Sequence, residues 1–118
     1  MKRNHRELRV WQDAMALVEH LYTVTRTFPQ AEIYGLTSQI RRAAVSVPAN
    51  IAEGAARSSP KELRQHLSIA QRSLSELDIL IDISGRLGDL PDAATVIDRV
   101  SQVSGLVSKL RSSIEIGR

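Results

Sequence analysis

The chain has no cysteine. Disulfides, thiolate metal sites and cysteine nucleophiles are excluded with it, and a reducing cytoplasm is the compartment that fits. Aromatic residues are also scarce, at 3% of 118 residues, so any core must be made of Leu, Ile, Val and Ala, a mixture that favours packed helices. No apolar run approaches the roughly 20 residues a membrane span needs, and the basic opening "MKRNHRELRVWQ" lacks the apolar stretch of a secretory signal. No glycine-rich phosphate loop, serine elbow or zinc-protease pattern occurs. These absences point to a non-enzymatic, cytoplasmic protein of one domain spanning residues 1–118, with no membrane association, no cofactor and no bound metal.

Charge is the first positive signal. The net value is +3, and thirteen of the sixteen basic residues are arginine, whose planar fork suits phosphates and carboxylates. The cations fall into groups. Lys2, Arg3, Arg6 and Arg9 form a flexible basic arm over residues 1–8 and just beyond it, and Arg57, Lys61 and Arg64 surround a turn. Arg41 and Arg42 fall level with Arg72 if the flanking segments pair as a hairpin, which sets up a basic stripe for RNA or DNA. Such binding would be directed at the backbone and salt-dependent, because Trp11, Tyr22, Phe28 and Tyr34 are expected in or near the core and so supply no stacking platform for bases.

Four amphipathic segments follow one another. From Val10 to Thr27, Trp11, Met15, Val18 and Tyr22 form one helical stripe, and Ala14, Leu17, Leu21 and Val24 form its neighbour. Pro29 ends this segment by disfavouring helix at Phe28. The third segment opens on Ser59, Pro60 and Glu62, which are a cap, a first-turn proline and a capping-box glutamate. Leu63, Leu67, Ala70, Leu74, Leu77, Ile81 and Ser84 then keep helical spacing until Gly88 and Pro91 stop it. The fourth runs from Asp92 to Ile114 with Val96, Val100, Val103, Val107 and Leu110 on one side, weakened by Gly105.

The second segment, Tyr34 to Ala56, contains "AAVSVPANIAEG". Ile40, Ala44, Val47 and Ile51 keep helical spacing straight through Pro48, so the reading is a kinked helix rather than a loop. Ser46 or Asn50 would serve backbone groups loosened by the proline, or meet a neighbouring subunit, and Ser46, Pro48, Asn50, Glu53 and Gly54 are read as a structural motif. Short connections make the whole an all-α, antiparallel up-down-up-down four-helix bundle with a proline-kinked second helix.

The third segment carries a second apolar face. Ile69, Leu80, Ile83 and Leu87 cluster roughly 130° from its main stripe at about 100° per residue. A wide face held between two neighbours of the same bundle is one account; self-association through these four residues is the other, and the one favoured here. Glu62 with His66, and Asp78 with Asp82 and Arg86, have the spacing of surface pairs rather than of a metal or acid–base site.

The blocks "LRVWQDAMALV", "FPQAEIYGLTSQIRRAAVSVPANIAEGAARSSPKEL" and "LSIAQRSLSELD" resemble a family of small bacterial proteins first noted as products of intervening sequences inside 23S ribosomal RNA genes. The family motif falls on Gly35, Leu36, Gln39, Arg41, Arg42, Ala43, Ser46, Pro48, Asn50, Ile51, Ala52, Glu53, Gly54, Arg57 and Ser59. The resemblance implies antiparallel four-helix bundles that assemble as ring-like homopentamers. It extends to retroelement accessory proteins that form basic pentamers and bind nucleic acid and a reverse transcriptase. It brings no catalytic residue. The expected function is therefore a homo-oligomeric bundle, pentameric by resemblance, that binds RNA or DNA through a basic surface; the alternative is an adaptor that holds a protein partner and has no affinity for nucleic acid.

Overall fold

The computed structural model describes residues 4–116, with side chains through Ile114. Lys2 and Arg3 of the expected arm lie outside them. Four helices make up the chain: α1 (Arg9–Thr25), α2 (Leu36–Ala55), α3 (Pro60–Arg86) and α4 (Ala93–Ile116). Short 3-10 turns at His5–Glu7 and Gln30–Glu32 precede α1 and α2, and no strand occurs among the described residues. The helices pack side by side into a bundle 46 Å long and about 20 Å across. At about 1.5 Å per residue, the 27 residues of α3 span most of that length.

Local chemistry sets the helix ends. Ser59 Oγ accepts the Glu62 backbone N–H at 3.4 Å, and Pro60 occupies the first turn, where its missing donor costs nothing. At the other end of α3, Gly88 takes a φ of +86°, which a side chain would make costly. Its N–H reaches the Gly85 carbonyl at 3.1 Å, and the Asp89 N–H reaches that of Ser84 at 3.0 Å, a Schellman closure.

The core is aliphatic. Leu17, Leu21, Ile40, Ile51, Leu67, Leu74, Leu77, Ile81, Val96 and Val107 are fully buried, each contributing about 1.5–3 kcal/mol by leaving water. Ser84 and Thr25 are buried among them because each hydroxyl donates to a carbonyl one turn back, Leu80 at 2.9 Å and Leu21 at 2.7 Å. α2 and α3 form the most extensive seam, and of the helix pairs in contact α1 and α4 form the least extensive. Across the α2/α3 seam, a Cβ added at Gly54 would come within 2.9 Å of Leu63 Cδ1 and 3.0 Å of His66 Cβ. Glycine is what lets the two backbones approach this closely.

Within the expected arm, Asn4 caps the first 3-10 turn, and the His5 ring packs edge-on against Trp11 with centroids 5.0 Å apart. Two expectations change. α1 ends at Thr25, not Thr27, because the Thr23, Thr25 and Thr27 hydroxyls all bond to preceding carbonyls just ahead of Pro29. Tyr34 is not near the core. Helix α2 begins only at Leu36, after a turn at Gly35 in which Glu32 Oε1 accepts the Leu36 N–H at 3.3 Å, and Tyr34 is left 96% exposed.

Candidate functional site

The motif around the proline lies on the α2/α3 seam. Helix α2 is continuous through Pro48, whose ring is buried. Asn50 Nδ2 donates to the Ser46 carbonyl at 2.9 Å and to Ser46 Oγ at 3.1 Å. From α3, Ser73 Oγ donates to Ser46 Oγ at 2.9 Å, and His66 Nδ1 lies 3.1 Å from Asn50 Oδ1. A carbonyl oxygen only accepts, so this contact puts the imidazole proton on Nδ1. His66 thus faces Asn50 rather than Glu62. Glu53, one turn further along, is exposed and pairs with Arg57 at 3.6 Å.

This network clamps two helices together: its members are two hydroxyls, an amide and an imidazole, and the imidazole is paired with the Asn50 amide rather than with either serine hydroxyl. Among the described residues, no three His, Asp or Glu side chains gather into a group able to hold a metal ion. Asp82 is occupied by Arg86 at 3.2 Å on an exposed flank. None of the described helices is long and apolar enough to cross a membrane.

The candidate nucleic-acid residues do not line up as one stripe. Arg41 turns toward α1, away from the α2/α3 pair, because its Nε finds Thr25 Oγ1 at 3.0 Å. Arg42, Lys61 and Arg72 are exposed. Arg57 is partnered by Glu53, and Arg9 by Asp13 at 3.5 Å. Arg64 is half-buried, with Nη1 enclosed and without a hydrogen-bond partner. Arg6 is exposed, and its carbonyl accepts from Gln12 Nε2 at 2.9 Å.

A family model described as 23S rRNA-intervening sequence protein matches residues 6–109. The chain belongs to that family. No curated relative matches it. The matched span takes in α1, α2, α3 and most of α4, and the Ser46–Asn50 clamp lies inside it.

Two residues of the expected set, Leu80 and Ile69, do not stand on the outward face of α3. Leu80 is only 7% exposed and joins the core, whereas Ile79, beside it, is 61% exposed. Ile83 and Leu87 are exposed at 40% and 61%, so the stripe left in water is Ile79, Ile83 and Leu87, at successive turns. Ile69 is half-buried, at the edge of a cleft it shares with Arg72 and Arg111. Sequence reasoning also missed the exposed set Tyr22, Ile33, Tyr34 and Val45, which surrounds or adjoins the α1/α2 groove. An apolar residue at each of four dispersed positions, without a common period, was the only available signal.

Proposed function

We propose that this member of the family is a non-enzymatic homo-oligomer, its helices antiparallel in up-down-up-down order and α2 kinked at Pro48, assembling through the outer face of α3 and presenting arginines to RNA or DNA. The observation that carries the reading is the exposed stripe Ile79, Ile83 and Leu87, aliphatic side chains that a monomer of this size rarely leaves in register on one helix. The antiparallel order is supported by the pairings Ser46 with Ser73, Asn50 with His66 and Gly54 with Leu63, which run down α2 as they run up α3. The kink is supported by the amide hydrogen that Pro48 cannot offer the Ala44 carbonyl. A pentamer is the assembly that the resemblance implies.

Sedimentation tests the assembly. The double substitution Ile79→Glu and Ile83→Glu leaves the core intact and is expected to give a folded monomer; an unchanged assembly mass for a folded double mutant overturns the reading. Leu80→Glu is unsuitable because it would unfold the protomer. Titration with generic RNA and DNA tests the ligand. If Arg42, Lys61 and Arg72 each meet one phosphate, the salt slope is about −3 per protomer, or roughly a 40-fold loss of affinity for a fourfold rise in salt. No binding near 50 mM salt rejects the ligand and leaves the adaptor reading, which the pairing of Arg57 with Glu53 and of Arg9 with Asp13 already favours by withdrawing two cations.

A further inference from the structure

The groove between α1 and α2 lies apart from the outer face of α3 and is built around one arginine. The Arg41 guanidinium carbon sits 4.5 Å from the centroid of the Tyr22 ring. Its Nε donates to Thr25 Oγ1 at 3.0 Å and its Nη2 to the Tyr22 carbonyl at 3.3 Å. Thr25 Oγ1 spends its own proton on the Leu21 carbonyl at 2.7 Å, which turns its lone pairs toward Arg41. The plane of the guanidinium is therefore held by three contacts, and its Nη1 and Nη2 edge remains for a ligand. That edge matches two oxygens side by side, as a carboxylate presents them, with the side-chain ordering already done.

Two clefts, of about 450 and 440 Å³, share Ile33, Thr37 and Arg41 as walls. One adds Arg42 and Val45; the other adds Arg26 and Phe28. Three arginines line the pair, and no carboxylate does. Uncompensated positive charge asks for an anionic partner, while the exposed side chains of Ile33 and Val45 ask for an aliphatic one. A sugar-phosphate backbone would use the charge and leave the aliphatic walls unmatched.

We propose that the α1/α2 groove docks an acidic, aliphatic peptide segment of another protein, with Arg41 receiving a carboxylate and Ile33 and Val45 flanking a neighbouring aliphatic side chain. The site is independent of assembly through α3, and each can fail without the other. Fluorescence anisotropy on the full chain tests it with a labelled Glu-Leu-Ser repeat peptide, its Gln-Leu-Ser twin and an oligo-dT strand of similar length. The Glu peptide is expected to bind, and the Gln twin at least about tenfold more weakly, the scale of a lost charge-assisted bidentate contact. Arg41→Lys, which keeps the charge and loses the fork, should weaken the Glu peptide by about the same factor. Val45→Glu, at an exposed position that should not disturb folding, should do so too, whereas Arg86→Gln on α3 should change nothing. Failure of the intact chain to bind the Glu peptide, equal affinity for the twin, or unaltered affinity in Arg41→Lys and Val45→Glu overturns the proposal. Tighter binding of oligo-dT that is lost in Arg41→Lys also overturns it and assigns the groove to phosphate.

Discussion

The seam between α2 and α3 and the seam between α1 and α4 are built on opposite terms. At the first, a glycine brings the backbones together, and every polar group that enters is answered: Ser46 by Ser73, Asn50 by Ser46 and His66. At the second, contact is sparse, and a cleft of about 240 Å³ opens between Arg9 and Asp13 on α1 and Arg99 and Gln102 on α4. One turn of α1 beyond that cleft, His20 has its Nε2 enclosed without a hydrogen-bond partner and within electrostatic reach of Arg99 on α4. A satisfied polar network in a close seam fixes one register, whereas an unsatisfied group in a loose seam marks the place where the bundle opens most cheaply. By that argument the α2/α3 pairing is expected to open last and the α1/α4 seam first.

Forcing the close seam apart should have the largest effect. Gly54→Val places a branched side chain where even a Cβ meets Leu63 and His66, and thermal denaturation should report a loss of about 3 kcal/mol. A loss under about 1 kcal/mol would mean that the seam is looser than its contacts suggest. Asn50→Ala comes next. It strips partners from Ser46 and His66 together, and a loss of about 2 kcal/mol is expected, with His66→Ala adding little in the double mutant because the two share one interaction. Additive losses would show that the clamp does not act as a unit.

A glycine of α4 should behave in the opposite way. Gly105 lies inside α4, is exposed and has nothing within 4 Å of an added Cβ. Gly105→Ala should therefore stabilise the chain by up to about 1 kcal/mol in urea denaturation, since only helix propensity changes.

The same contrast separates what the sequence makes legible from what it does not. Features that depend on neighbours along the chain were readable: the start of α3 at Ser59 and Pro60, its stop at Gly88, and the persistence of α2 through Pro48, where an unbroken apolar period outweighed the breaker. Features that depend on which helix lies opposite were not. Leu80 and Ile79 stand about 100° apart on α3, and only the position of its neighbours decides that the first is covered and the second bare. Arg41 could face α1 or α3 until Thr25 and Tyr22 are placed. The pairing of Asn50 with His66 joins residues sixteen apart, whereas the pattern of α3 alone points His66 at Glu62.

The smallest predicted effect is also the one that tests the loose seam most directly. Burial, and after it the Arg99 guanidinium, lowers the pKa of His20 from the ordinary value of 6.5. The charged imidazole is thus less welcome in the folded chain than in the unfolded one. Below 6.5 the unfolded chain takes up the proton first, so the contribution of His20 to stability is fully present above that pH and is lost as the pH falls through the depressed folded value. Urea midpoints measured at pH 7.5 and 5.5 should fall less in His20→Gln than in the parent chain, and Arg99→Gln should lie between them because it removes only the lesser cause. A response in His20→Gln identical to that of the parent would mean that the α1/α4 cleft already admits enough water to solvate the imidazolium, and the seam would then be open in solution rather than merely sparse.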